Sequence, residues 1–285
     1  AYDDHLSEEL NAAKKHQGQQ KIAEKMRDHL KDSKLTRDRN EHLYNDTADK
    51  NTYFKEKVQE YYSLRCVPQI LGPVYDTIEN TAKILIEEVN SANDNPIIDV
   101  VNEQVYHGGN FRGDYVALEM DKLKLVVTKL SMLAERQLNY LLNNKLNDIL
   151  PPFVNLGKLG LNFGMQGAQF TAVSTTAENQ TLSNSMYIHS ISNNNDNQDI
   201  VSMGTNAATL TKRVINNSFE VLSVQVISLV QAAYYLEEVE KLAPKTRSIL
   251  QQLQKFIPKI EEDQPLYSLI EKTTHYLKNH DSYEN

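Results

Sequence analysis

The sequence predicts an all-α protein, and three observations support this. Apolar residues recur at helical spacing over most of the 285 residues. Only one short stretch alternates in the manner of paired strands. Proline and asparagine clusters punctuate the helical segments at points where they stop helices or start turns. With no internal repeat and no low-complexity linker, the helices should pack against one another as a bundle.

In chain order, residues 5 to 33 place Leu6, Leu10, Ala13, Ile22, Met26 and Leu30 on a thin stripe, with a break expected around Gly18. Residues 35 to 53 keep no period and read as a mobile surface loop. Pro68 and Pro73 bracket the entry to a helix that runs to about Val89, with Ile78, Ala82, Leu85 and Val89 along one side. It stops at SANDNP, because Asn and Asp favour a turn and Pro96 disfavours helix in the residue before it. The stretch IIDVVNEQVYHGG alternates and closes on a glycine pair, which predicts a short hairpin near 97–108. Helical period returns from Tyr115 to Ile149, and Pro151-Pro152 ends it. NLGKLGLNFGMQG then holds four of the ten glycines, allowing close backbone approaches that a Cβ forbids. A helix over about 165–184 and a long one over about 200–240 follow, the latter apolar on more than one side. Pro244, Pro258 and Pro265 divide the tail into three short helices. The chain thus reads as a helical bundle over 1–240 followed by short helices over 241–285.

Composition narrows the function. Hydrophobic residues make up 40% and charged residues 24%, as in soluble globular proteins. No apolar stretch approaches the roughly 20 uncharged residues of a bilayer span. The start AYDDHLSEEL has no signal-peptide core, so a cytoplasmic location is expected. A net charge of −8 argues against a phosphate-binding surface, and no membrane or nucleic-acid partner is expected. Cys66 is the only cysteine, which excludes an internal disulfide and a cysteine-based zinc cluster. The eight histidines form no HExxH, and no metal site is expected. His275, His280 and the run Glu261-Glu262-Asp263 read as solvated, and no glycine-rich nucleotide motif occurs.

Two stretches could do chemistry. In QEYYSLRC (59–66), a helix would set Gln59, Tyr62 and Arg65 three apart on one face. An amide, a phenol and a guanidinium on one stripe can orient an anion, Arg gripping a carboxylate with two prongs. The octet alone fits equally well an Arg paired with an acid of a neighbouring helix. In SNNNDNQDIVSMG (192–204), seven amide or carboxylate side chains run from Asn193 to Asp199. They read as an exposed, asparagine-rich turn that caps the next helix, since Asn and Asp satisfy free backbone N–H groups at helix starts.

Six blocks extend this reading. YSLRCVPQILG (62–72), NSANDNPIID (90–99), GGNFRGDYVALEMD (108–121), LPPFV (150–154), GLNFGMQGAQFTA (160–172) and NNDNQDIVSMG (194–204) resemble, in order and separation, blocks of the histidine, phenylalanine and tyrosine ammonia-lyases. The resemblance spans residues 1 to about 235 and is nearest to flavobacterial tyrosine ammonia-lyase-like enzymes. It implies a long antiparallel helix bundle of the fumarase/aspartase-like type, and a homotetramer with active sites shared between subunits. The reaction it implies removes ammonia from an aromatic amino acid: tyrosine is favoured, giving 4-coumarate. A histidine enzyme giving urocanate and an aminomutase are alternatives, and a non-catalytic helical scaffold is a third.

By motif, the resemblance assigns the substrate carboxylate to Arg65, the cofactor wall and orientation or proton transfer to Tyr62, and a hydrogen bond near the cofactor to Gln59. Phe111 would pack beside the cofactor or the substrate ring, Asn197 would hydrogen-bond the carboxylate, and Gln198 would lie near the amino group and the cofactor. The resemblance thus implies that part of the asparagine run is a polar active-site wall at the start of a buried helix, where unpaired amides would be costly unless they bind something. Gln198 stands where the histidine enzymes have Glu, and Asn194, a further substrate-side position, stands where the plant phenylalanine enzymes have Glu. Arg112 replaces the His or Gln usual after GNF. The family's electrophile is 4-methylidene-imidazol-5-one (MIO), formed from an internal Ala-Ser-Gly, and these 285 residues contain no Ala-Ser-Gly. The sequence therefore resembles the C-terminal portion of such an enzyme, without its cofactor-bearing part. Acid–base groups worth about 10²- to 10⁴-fold cannot alone remove a weakly acidic β-proton and expel an amine, so the isolated chain is expected to be inactive.

Overall fold

Ser7 opens the first helix, α1 (Glu8–Ala12), its hydroxyl accepting the Leu10 N–H at 3.3 Å as an N-cap does. The structure, a computed structural model, describes residues 2–42 and 58–279. α2 (Gln17–Leu30) begins after a break over residues 13–16, ahead of the break expected at Gly18. Gly18 is buried inside α2 because α5 (Val67–Val89) crosses there. A Cβ on Gly18 would stand 2.3 Å from the Gly72 carbonyl oxygen, so the contact requires glycine. Between them lie two single turns, α3 (Arg39–His42) and α4 (Tyr62–Arg65). The rest of the loop read over 35–53 falls outside the described residues, as does His280.

α5 starts before Pro68, which takes the first turn where its missing N–H leaves no helix bond unmade, and Pro73 lies within the helix rather than at its edge. The stripe read on this helix faces outward in the single chain: Ile78 and Val89 are exposed, whereas Val74 and Thr81 are buried. The predicted hairpin is present as β1 (Ile97–Asp99) antiparallel to β2 (Gln104–Tyr106), with Ile98 opposite Val105. α6 (Asp114–Leu142) stops short of the expected Ile149. Asn143 accepts the Lys145 N–H and starts the short α7 (Asn144–Asn147), while the Asn147 side chain donates to the carbonyls of Tyr140, Leu141 and Asn143. α8 (Gln166–Leu182) and α9 (Gly204–Leu236) follow. The tail comprises a 3₁₀ turn at Val239–Lys241, α10 (Pro244–Gln254) and α11 (Tyr267–Asn279).

The side-chain contacts give the direction of each helix. Met120 meets Thr211, Ser131 meets Ser218 and Gln137 meets Gln225, so α6 and α9 run parallel. α8 runs antiparallel to both, Asn179 reaching Ser131 and Gln169 reaching Asn139. α5 is antiparallel to α6 and α11 to α9. Among α5, α6, α8, α9 and α11 the packed pairs are thus antiparallel except for α6–α9. Its apolar core joins Leu138 and Leu142 of α6 to Val221, Val224, Ile227 and Val230 of α9, and continues into Leu253, Ile257 and Ile260.

Toward the N-terminal half of α6 the interior becomes polar. Glu119, Asp121, Lys124, Thr128 and Ser131 are buried, while Leu118 and Leu125 of the predicted apolar helix are exposed. Ser131 and Ser218 share a 2.6 Å hydrogen bond, and the Asn179 amide donates to both hydroxyls, the pairing that buried polar groups require. Contrary to the expectation that no stretch approaches a bilayer span, α9 is long and apolar enough by length and composition to cross a membrane. Its buried Asn217, Ser218, Ser223, Ser228 and Gln231 are those of a core helix facing polar neighbours. The Glu261-Glu262-Asp263 run is more than a solvated patch: Asp263 accepts the N–H groups of Phe163 and Gly164 at 2.9–3.2 Å and pins the glycine-rich loop.

Candidate active site

The residues singled out in the sequence fall into two groups. The first is built around α4. Gln225 donates to the Gln137 side-chain oxygen at 2.8 Å, and Gln137 donates to the Ser63 carbonyl at 2.8 Å, tying the short turn to α6 and α9. The Tyr61 ring packs tilted against Tyr140 at 5.6 Å. Gln59 precedes the helix, so no helical face carries all three residues. A cleft of about 650 Å³ nevertheless gathers Gln59, Tyr62 and Arg65 beside Arg136, Asn139 and Tyr140.

Arg65 is held but not neutralised. Its Nε donates to the Glu60 carbonyl at 3.0 Å, and its guanidinium carbon lies 4.7 Å from the Tyr62 ring centroid, within range of a cation–π contact. Among the described residues no acid pairs with it, so the acid-partner reading of the octet is not realised and its terminal nitrogens remain available. The Tyr62 side chain is 70% exposed, and its hydroxyl likewise takes no partner among the described residues. Glu60, which supplies the carbonyl, is anchored in turn. Its carboxylate accepts the Tyr2 N–H at 2.8 Å and His5 Nε2 at 2.6 Å. Burial would push this carboxyl up, but the backbone N–H groups of Tyr2 and Glu60, with His5, outweigh it and hold it below its ordinary value.

The second group is Phe111, Asn194, Asn197 and Gln198. The asparagine run does not cap α9, whose first turn has Met203 at the N-cap and no side-chain cap. It forms the exposed turn read from its composition, but without the cap. Asn193 and Gln198 exchange backbone hydrogen bonds at 3.1 and 3.3 Å, and Asn194, Asn195 and Asp196 take φ values of 51°, 55° and 61°. Asn and Asp tolerate this left-handed region better than other residues with a Cβ, which accounts for the composition of the run. The turn is exposed in the single chain rather than a buried wall at the helix start.

Both ends of the segment carrying this turn are tethered to the start of α6. At its entry the buried Asp121 accepts the Ser185 hydroxyl and the N–H groups of Met186 and Tyr187 at 2.7–2.8 Å. The fully buried Lys124 donates to Asp121 at 2.8 Å and to the Asn184 carbonyl at 2.7 Å. At its exit Arg112 donates to the Ile200 carbonyl at 2.5 Å while forking onto Asp114, and the Gly113 N–H donates to the Ser202 hydroxyl. Asp114, and then Asp199, raise the Arg112 guanidinium above its already high value. Gly204 at the start of α9 sits so close that a Cβ would lie 3.1 Å from the Gly113 carbonyl oxygen. Phe111, half exposed, stands beside this junction.

The two groups lie toward opposite ends of α6. From Gly113, at the second group, to Gln137, which holds α4, the helix rises roughly 36 Å at 1.5 Å per residue. One chain therefore does not unite Arg65 with Gln198. Glu60, Gln137, Arg112 and the Asp121–Lys124 pair are supporting residues that the sequence reading did not assign. The three-residue Asp–Lys spacing on a helix was a usable signal for the last pair, whereas Glu60 and Gln137 act through contacts distant in sequence. Among the described residues no His, Cys, Asp and Glu cluster could hold a metal ion.

The chain as a whole is similar to known proteins. Residues 1–255 match the family described as aromatic amino acid lyase. A tyrosine 2,3-aminomutase of Chondromyces crocatus is 39% identical over 90% of this chain and 49% of its own length. A tyrosine ammonia-lyase of Cupriavidus metallidurans is 38% identical over 80% of this chain and 43% of its own. A histidine ammonia-lyase of Bacillus subtilis is 36% identical over 96% of this chain and 51% of its own. The solved phenylalanine aminomutase of Pantoea agglomerans superposes with a TM-score of 0.92 at 33% identity, over 97% of this chain and 54% of that one. The chain spans about half the length of the curated relatives it matches. On this evidence the chain belongs to the aromatic amino acid lyase family.

Proposed function

We propose that this chain supplies the substrate-carboxylate and wall residues of an aromatic amino acid ammonia-lyase acting on tyrosine, with 4-coumarate as product, in the cytoplasm. The carrying observation is Arg65, whose fork has no acid partner among the described residues and lies beside Tyr62 in a cleft that also holds Gln59. A guanidinium in this state binds a carboxylate with two parallel hydrogen bonds. Tyr62 and Gln59 then fix the remainder of the amino acid, and the Tyr62 phenol is free to hold or pass a proton.

The MIO ring would supply the electrophile that makes the amine a leaving group, and the Tyr62 phenol and the Gln59 amide, which line the cleft with Arg65, are the groups that would stand beside it. The chain contains no Ala-Ser-Gly from which to form it, so the ring comes from a segment outside this sequence, and the isolated chain is inactive. The separation of Arg65 from Asn197 and Gln198 supports a site that a second copy completes, in keeping with the homotetramer that the sequence resemblance implies.

Aminomutase action is the second reading, favoured by the naming of relatives at 39–40% identity as tyrosine 2,3-aminomutases. Incubating the full-length protein with tyrosine, phenylalanine and histidine in turn, with absorbance and chromatographic analysis, decides between them. We expect growth of coumarate absorbance with tyrosine. A β-amino acid as the main product would establish the second reading, urocanate would reassign the substrate, and no product from any of the three would reject both.

A further inference from the structure

Arg112 makes three hydrogen bonds in two directions. Its Nε and Nη2 fork onto the Asp114 carboxylate at 2.8 and 3.2 Å, fixing the guanidinium plane against the first turn of α6. Its Nη1 then reaches across 88 residues of sequence to the Ile200 carbonyl at 2.5 Å. Phe111 is its chain neighbour on one side, and Ile200 lies two residues beyond Gln198 on the other. Apart from the neighbouring hydrogen bond of Gly113 to Ser202, the described contacts leave the turn little else to hold it to the body of the chain on its exit side. The other carbonyl and amide groups of residues 193–198 are spent within the turn or exposed.

We propose that Arg112 is a positioning residue that sets the spacing between the Phe111 ring and the Asn197–Gln198 turn, and so the width of the substrate-side wall. This rests on the lyase or aminomutase reading for its catalytic consequence, but not for the tether itself. The planar fork suits the task because it serves one carboxylate with two nitrogens and still offers a third toward the loop. Lysine, a point charge with three donors at one atom, can serve Asp114 or Ile200 well but not both in this geometry.

The test is hydrogen exchange, read by mass spectrometry on the full-length protein, together with steady-state kinetics. In Arg112→Gln, peptides spanning 190–202 should exchange at least roughly tenfold faster while those of the α6–α9 core keep their rates. KM for the aromatic amino acid should rise more than kcat falls, and Arg112→Lys should fall between wild type and Gln on both readouts. Should Arg112→Gln fail to assemble, Arg112→Lys carries the same test. Unchanged exchange over 190–202 would overturn the tether, and faster exchange with unchanged KM and kcat would overturn the positioning role. Absence of turnover in the wild-type protein would defeat the functional reading alone, leaving the exchange result to decide on the tether.

Discussion

At the residue scale, Arg65 shows how a site can be read from three side chains and still be misplaced locally. The sequence reading needed a helix to align Gln59, Tyr62 and Arg65; the structure gathers them around a four-residue turn with Gln59 outside it. The residue types were legible because anion binding demands a guanidinium with neighbours that limit its orientation. The tether from Gln225 through Gln137 to Ser63 was not, since each contact joins segments far apart in sequence. Arg65→Lys in the full-length enzyme keeps the charge but loses one of two charge-assisted hydrogen bonds, worth about 1.5–3 kcal/mol. KM for the amino acid should therefore rise roughly 10- to 150-fold with a smaller change in kcat. Steady-state kinetics on the purified variant checks this, and wild-type values would remove Arg65 from carboxylate binding.

At the element scale, the long helices were legible from periodicity, and their ends and buried faces were less so. Asn143 ends α6 ahead of the expected proline because its side chain offers the next turn a cap, a local competition that periodicity does not register. The start of α6 buries Asp121 and Lys124 in place of a leucine face, because their charges satisfy the backbone of residues 184–187. Asp121→Asn would leave Lys124 buried without its counter-charge, at a cost of about 3 kcal/mol in unfolding free energy. The pH dependence has a definite sign. Burial would raise the Asp121 carboxyl, but Lys124, the Tyr187 N–H and the Ser185 hydroxyl hold it below the ordinary range. Its contribution is therefore complete above the ordinary Asp value of about 3.9 and is lost as pH falls through the lower folded value. Chemical denaturation should show the full gap between wild type and variant at neutral pH and a shrinking gap below about pH 4.

At the scale of the whole molecule, the fold class and the small hairpin were evident in the sequence, while the relation between the two halves of the site was not. Six sequence blocks carried the resemblance, yet nothing in their order shows that α6 holds Phe111 near one end and supports α4 near the other. Several exposed apolar residues, among them Ile86, Phe163 and Phe170, give the single chain faces of the kind that association covers. The roughly 36 Å of α6 between Gly113, beside the Gln198 turn, and Gln137, which holds α4 and Arg65, is the ground for the central proposal, that each complete site draws Arg65 and Gln198 from different copies. Full-length Arg65→Ala and Gln198→Ala variants, each purified alone, should be nearly inactive. Co-expressed at equal levels they should form mixed oligomers in which roughly a quarter of the sites combine an intact Arg65 with an intact Gln198. The measurement is the specific activity of the mixed oligomer with tyrosine. Recovery toward a quarter of the wild-type value is the predicted result, and activity no higher than that of the two single variants would contradict a site shared between copies.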